Sequence, residues 1–468
     1  MKRSRTIAIL LLCLLATSSM AHAQQRFPPP EFDTGYRMPQ TTTPQPGSSW
    51  SAYLDLWLLV AALVVASILA IRVRSRPALV ALGVLSLLYF GFYRGGCICP
   101  IGAIQNVALA AFGSGYVVPL VVVGFFVLPL AVALFCGRTF CAAVCPLGAV
   151  QDLVVVKPIR VPDWLEQSLG VLAYVYLAAA VVFAVTGSAF IICQYDPFVS
   201  IFRLVPLGKI VEGLVQGRPL LESFALSGRI DTLLLAAAFL AIGLFIARPY
   251  CRYLCPYGVL LGLLSKVSLW RVTITPSECI QCRLCEDSCP FGAIRKPSAE
   301  GHSASRTRGK TALAVTLALL PVLTAVGGYL GGLVGPAMAR AHPTVQLADR
   351  IRLENAGEVE GTTDASEAFR ATGRPAEDLY GEAGAIEARF VSEWSLARGA
   401  GIGLAHLFGA FVGLVIGLKL IGLSIRRRRE DYEADRASCL ACGRCFAHCP
   451  IEQARRKGTE VVLRDEEQ

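Results

Sequence analysis

Seventeen cysteines stand among 468 residues, and eight of them repeat one spacing twice. The first run is Cys279, Cys282, Cys285 and Cys289, followed by Pro290; the second is Cys439, Cys442, Cys445 and Cys449, followed by Pro450. Four thiolates at C-x2-C-x2-C-x3-C-P can wrap a 4Fe–4S cubane, and where two such runs coexist the fourth cysteine serves the other cluster. The spacing therefore predicts two 4Fe–4S clusters with exchanged ligands: Cys279, Cys282 and Cys285 with Cys449, and Cys439, Cys442 and Cys445 with Cys289. Zinc uses C-x2-C pairs but has no need of four closely spaced thiolates ahead of a proline.

A second unit, C-x3-C-P-x-G, also occurs twice. Cys141, Cys145, Pro146 and Gly148 form one copy and Cys251, Cys255, Pro256 and Gly258 the other, with Arg138 and Arg248 shortly before them. Residues four apart share a helix face, so each copy is expected to present a claw of two thiolates. The proline then breaks the helix and frees backbone N–H groups for sulfur. Two claws supply four ligands for a further iron–sulfur or metal centre; quiet packing or disulfides are the alternative, and a reducing compartment disfavours disulfides. A degenerate third copy is Cys97-Ile98-Cys99-Pro100-Ile101-Gly102, and Cys193 follows the fourth apolar stretch. Cys97, Cys99 and Cys193 are expected on the external face. There they either hold a metal centre with one non-cysteine ligand or contain a disulfide and a spare thiol. Cys136 reads as a core residue near the inner claw.

These residues must be positioned by membrane helices. Hydrophobic residues make up 54% of the chain and charged ones only 17%, too apolar for a soluble domain of this length. Residues 1–23 carry basic residues, a short apolar core and Ala21-His22-Ala23, the pattern of a cleaved signal peptide. Residues 24–53 are Pro-, Thr- and Gln-rich and read as a disordered external linker. Apolar stretches follow at 54–71, 77–93, 117–136, 168–192, 231–247, 310–335 and 399–425. The expected fold is thus an all-α integral membrane protein of about seven transmembrane helices, with a small α+β ferredoxin-like module on the cytoplasmic face. Arg72, Arg74, Arg76, Lys157, Arg160, Arg248, Arg252 and the Arg426–Arg429 run follow alternate spans, which assigns those ends to the cytoplasm of a bacterial inner membrane. The same bias accounts for the net charge of +10 without a nucleic-acid partner. The domains read 54–275 as the transmembrane core, 276–297 as ferredoxin run one, 310–335 and 399–425 as a membrane hairpin, 336–397 as an external acidic segment, and 430–468 as ferredoxin run two with a tail. A slab of about 30 Å between the two faces is too wide for one efficient electron hop, so carriers or a quinone are required between them.

With its paired C-x3-C-P units after apolar stretches and ferredoxin runs downstream, the chain resembles the NosR/NapH group of membrane-bound polyferredoxins over roughly residues 80–295 and 438–450. The resemblance implies electron passage between a cytoplasmic or quinol donor and a membrane or periplasmic acceptor. It also implies redox partner proteins such as a periplasmic reductase or cytochrome, other membrane subunits, and a subunit rather than a stand-alone catalyst. A redox-sensing, maturation or regulatory role for a periplasmic reductase is the alternative. The chain departs from the group in having no S/T-G-A-T-like flavin attachment site and in placing two spans and an external segment between its ferredoxin runs. There is no C-x-x-C-H for covalent haem and no Walker loop. His406 lies within a span, near its external end; it reads as a histidine bonding a neighbouring helix, with a hydrogen bond to quinone as the functional alternative.

Overall fold

The computed structural model describes residues 49–96, 99–112, 117–186, 193, 196–204, 230–274, 279–297, 306–359, 361–391, 402–425, 429 and 431–457. The expected signal peptide, most of the expected linker, Cys97 and Arg426–Arg428 lie outside them. The described chain is mostly helical, with one two-stranded sheet.

Helix α1 (Ser49–Ile68) runs on as a π-helical turn to Val73 and stops at Arg74, whose φ of 54° is left-handed. Helix α2 (Arg76–Ser86) begins with Pro77 in its first turn, where the missing N–H costs nothing, and likewise ends in a π-helical turn at Tyr93. Then come α3 (Pro100–Phe112), α4 (Leu120–Cys136), α5 (Thr139–Ala143), α6 (Pro146–Val154), α7 (Asp163–Leu169), α8 (Leu172–Val185), α9 (Pro197–Leu204), α10 (Ile230–Gly243), α11 (Pro249–Tyr253) and α12 (Pro256–Ser265). Among the described residues five helical stretches are long and apolar enough to cross a membrane: Trp50–Val73, Arg76–Tyr93, Asp163–Val185, Gly309–Arg340 and Leu404–Ser424. The other two expected spans are shorter helices. α4 is cut off by Gly137, whose φ is 72°, and α10 ends in turns leading to Arg248, also left-handed at 51°. Those stops set the two C-x3-C-P units outside α4 and α10.

The ferredoxin runs, about 150 residues apart in sequence, form one module. Helix α13 (Leu284–Asp287) and strand β1 (Ile294–Arg295) belong to run one; β2 (Glu433–Ala434), α19 (Arg444–His448) and α20 (Pro450–Lys457) belong to run two. The strands pair antiparallel, Ile294 with Ala434 and Arg295 with Glu433. Between the runs, α14 (Arg306–Arg340) and α18 (Leu404–Ser424) pack along their lengths. Gly327 and Gly331 face Gly409 and Gly413 so closely that an added Cβ would strike the opposite backbone, the small-residue packing that membrane helices use where solvent exclusion offers no drive. Helices α15 (Pro343–Asn355), α16 (Asp364–Ala371) and α17 (Ala376–Val391) close a small core of Val345, Ala348, Ile351, Leu379 and Ala383 beyond that hairpin.

The basic residues at one end of the helix set clamp this module. Arg74 pairs with Glu452 at 2.8 Å, bonds the Thr273 carbonyl and stacks on Phe446. Arg160 pairs with Asp287 at 2.5 Å, and Arg252 bonds Glu166 at 2.7 Å and the Pro290 carbonyl at 3.4 Å. These three arginines, which the sequence reading uses to assign span ends, also dock the cysteine-bearing loops.

Candidate metal centres

In each ferredoxin run the loop curls through left-handed backbone at the same two positions: Gln281 and Arg283 in the first, Ala441 and Gly443 in the second. Three of these four are not glycine, and such conformations cost on the order of 1 kcal/mol or more each, a strain that collects at binding sites. Successive N–H groups in alternating left- and right-handed backbone form a concave nest for an anion. Cys279, Cys282, Cys285 and Cys449 line one cavity with Ile274, Ile280, Tyr432 and Ile451. On the other side of the module, Cys445 lies within electrostatic reach of Cys439, Cys442 and Cys289. The structure thus groups three cysteines of each run with the fourth of the other.

Burial pushes the Cys285 thiol up to about 11, against a backbone N–H that pulls it down, with Cys279, Cys282 and Cys449 raising it further. Burial likewise pushes Cys439 up to about 12. Thiols of that kind hold their protons until a cation takes their place. Among the described residues no three His, Cys, Asp or Glu side chains draw close enough for a single metal ion. A cubane, being larger, takes its thiolates farther apart.

The two C-x3-C-P units meet nearby. Cys141, Cys145 and Cys251 are buried and Cys255 half-buried, and the four thiols act electrostatically on one another. Only Cys141 and Cys251 sit on helices (α5 and α11). Cys145 and Cys255 are the N-cap residues of α6 and α12, each with the following proline at the first helical position. The proline therefore starts a helix, and the expected four-residue face is replaced by one helical and one capping thiol. The Cys255 Sγ accepts the Gly258 N–H at 3.3 Å. A sulfur at a helix N-terminus faces the positive end of the dipole, which favours negative charge on it.

The two copies are interlocked by their arginines. The fully buried Arg248 bonds the Cys141 carbonyl and lies against Gly148; Arg138 lies against Gly258. A Cβ at Gly148 would stand 3.1 Å from the Cys141 carbonyl and 3.4 Å from Arg248 Nη1, and one at Gly258 3.3 Å from the Cys251 carbonyl and 3.0 Å from Arg138 Nη2. Hence the glycine in C-P-x-G. Arg248 also acts on Cys251 and Cys442, and Arg138 acts on Cys251 and Cys439, so both bridge the claws to the ferredoxin module. Arg138 is 8% exposed, its Nε has no partner, and among the described residues it forms no ion pair. A buried cation left unpaired is costly. Negative charge on the thiols it acts on, Cys251 and Cys439, would answer that need.

Cys99 follows the stretch that ends at Tyr93, and Cys193 follows the one that ends at Val185. Asp196, just after Cys193, accepts hydrogen bonds from Tyr176 at 3.0 Å and Tyr250 at 2.7 Å. Tyr176 lies near the middle of the Asp163–Val185 span, and Tyr250 adjoins Cys251. Asp196 thus links the neighbourhood of Cys193 to Tyr250, the residue beside Cys251. Cys136 is half-buried beside a second cavity with Arg138, Cys439 and Ala441. His406 packs on Gly332, and its Nδ1 is buried without a partner.

The 4Fe-4S binding domain family matches residues 118–162 and again 229–275, the two C-x3-C-P copies, and a second family of the same description matches 272–295. Protein NirI of Paracoccus denitrificans is 34% identical over 172 residues, 34% of this chain and 22% of that protein. The putative electron transport protein YccM of Escherichia coli is 28% identical over 168 residues, 34% of this chain and 43% of that one. Regulatory protein NosR of Pseudomonas aeruginosa is 25% identical over 222 residues, 45% of this chain and 28% of that one. The chain thus spans less than half of each of these three relatives. No solved structure matches. The paired C-x3-C-P claws, the ferredoxin runs and these relatives together identify the chain as a NosR/NapH-like membrane ferredoxin with 4Fe–4S motifs.

Proposed function

We propose that this protein is an electron-transfer subunit that passes electrons from the ferredoxin module into the membrane core. The observation that carries this reading is the alignment of three four-cysteine groups: Cys279/Cys282/Cys285/Cys449, then Cys439/Cys442/Cys445/Cys289, then Cys141/Cys145/Cys251/Cys255. A 4Fe–4S cluster on each supplies a one-electron couple. The chain's own residues do the rest. Cys282, the one exposed cysteine of the first group, marks where a soluble donor approaches. Arg138 and Arg248 stand between the second and third groups and favour negative charge there. The cytoplasmic orientation of the module and its bacterial inner-membrane setting belong to this reading, supported by the arginines gathered at that end.

Anaerobic purification followed by iron and sulfide analysis tests the proposal, with stepwise reduction followed by electron paramagnetic resonance. Three cubanes require about twelve of each atom; fewer than four irons per chain would sink it. One relative's name, a regulatory protein, favours a second reading in which the clusters report redox state to a periplasmic reductase system. Steady-state electron flow to an external acceptor separates the two, and His406 is the residue to replace when testing quinone as donor.

A further inference from the structure

Cys99 and Cys193 form a site of their own, distinct from the claws. Both thiols bond to residues of α3, Gly102 and Gln105, which are three apart and so share one face of that helix. Cys99 immediately precedes α3, and its Sγ accepts the Gly102 N–H at 3.4 Å, repeating the cap of Cys255 on Gly258. Cys193 Sγ donates to Gln105 Oε1 at 2.8 Å. Gln105 is fully buried on α3, yet among the described residues its Nε2 has no hydrogen-bond partner. A buried amide donor left unpaired costs on the order of 1–3 kcal/mol, so this half of the amide awaits an acceptor.

Among the described residues the surroundings do not supply a cluster's ligand set. Both carboxylate oxygens of Asp196 are engaged, Oδ1 by the Phe198 N–H at 2.7 Å and Oδ2 by the two tyrosines. Gln105 Oε1 is taken by Cys193. Two thiols held over one face of α3 are what remains among the described residues, and neighbouring thiols join where their Cβ atoms come within about 4.5 Å.

We propose that Cys99 and Cys193 are a reversible dithiol–disulfide couple inside the membrane core. On oxidation two S–H bonds break, one S–S bond forms, two protons pass to water, and two electrons leave one at a time to an oxidised iron–sulfur centre. On reduction the same centre returns two electrons singly, the S–S bond breaks, and each sulfur takes a proton. Gln105 serves both states. Its Oε1 accepts from the Cys193 thiol, and a half-turn of the amide after oxidation offers the idle Nε2 to a sulfur that no longer carries a proton. Tyr176, Asp196 and Tyr250 lie between this pair and Cys251, so the couple is the next stop beyond the claws. For its electron source this rests on the electron-transfer reading above.

The test counts thiols. Detergent-purified full chain is poised with dithiothreitol or with ferricyanide, denatured, alkylated and mapped by mass spectrometry, and iron is measured in the same samples. The expected result is a Cys99–Cys193 linkage after ferricyanide, two alkylated sites fewer, and full recovery with dithiothreitol. Cys99→Ser should abolish the linkage and leave the iron content unchanged. Alkylation of both cysteines in the oxidised sample, a linkage to Cys97 in place of either, or iron loss in Cys99→Ser would each overturn the proposal. A linkage in protein with fewer than four irons upholds the couple and removes its electron source, so the two readings fail separately. The wild-type measurement decides the matter even where the variant does not fold.

Discussion

Arg248 and Asp152 form a two-point ion pair, Nε to Oδ1 at 2.9 Å and Nη2 to Oδ2 at 2.5 Å, and the second copy of the motif has no counterpart to it. Seven residues after its second cysteine the first copy has Asp152; the second has Gly262, where the Ala437 carbonyl enters and accepts Nη1 of Arg138 at 2.9 Å. One arginine is thus neutralised by a carboxylate and the other only by sulfur-borne charge.

Arg138→Gln should therefore lower the midpoint potential of the claw centre, because the cation favours the form carrying the extra electron. Asp152→Asn, which unmasks Arg248, should raise it. The expected size is on the order of a tenfold change in the reduced-to-oxidised ratio, about 59 mV for a one-electron couple. A redox titration followed by electron paramagnetic resonance reads both, and Arg138→Lys should restore most of the shift. Equal displacement of every signal would mean that the variants loosen the fold.

Cys141→Ser should remove one spectroscopic signal and its iron while the ferredoxin signals stand. An unaltered spectrum with unaltered electron transfer would make the claws structural.

Exchange of the fourth ligand predicts crossed phenotypes. Cys449→Ser should damage the centre of Cys279, Cys282 and Cys285, and Cys289→Ser that of Cys439, Cys442 and Cys445. Because Cys282 is exposed, the first centre should also be the more readily bleached by oxygen. Matched iron and cysteine-accessibility measurements on the two variants distinguish crossed from uncrossed pairing.

Asp435 ties the two runs together. Its N–H donates to the Ala293 carbonyl at 2.7 Å, and its carboxylate accepts from Ala437 and Ser438, both at 3.0 Å, and pairs with Arg295. Burial works to raise this carboxyl, but the Ser438 N–H and Arg295 outweigh it and hold the group below the usual carboxylate range. A lowered folded value means stability that is present above the unfolded value of about 3.9 and lost as pH falls toward the folded one. Asp435→Asn should cost about 1–2 kcal/mol between pH 5 and 8, with the gap to wild type closing below pH 4. Thermal unfolding by circular dichroism in detergent checks this; a gap that persists at pH 3 would locate the effect elsewhere.

The cysteine runs stand out in the sequence because iron–sulfur ligation would fix residue type and spacing together, and the loops after Cys279 and Cys439 share their left-handed positions. The helices around them were legible in hydropathy but not in length. The 17-residue α4 and the 14-residue α10 have the composition of a span, and only the stops at Gly137 and Arg248 reveal short helices. The arginines before each claw stood in plain view as repeat positions. Their roles were hidden, since each acts on the glycine of the other copy, a relation without trace in local spacing. Asp196 and Gln105 gave no signal at all, because one polar residue beside a proline reads as a loop and one glutamine in an apolar helix reads as a tolerated exception.

Ribosomes deliver the two ferredoxin runs in order, with α14 through α18 between them. On the crossed ligand sets, run one leaves the ribosome able to offer each cubane only part of its anchorage. Cys449, which completes the first, is translated 160 residues after Cys289, which completes the second. If the ligands cross as proposed, neither cluster is complete until α14 and α18 have been made and run two has emerged behind them. Assembly of the metal centres would then wait for the hairpin, and a chain whose last span is misplaced would be left without iron rather than with a misdirected current.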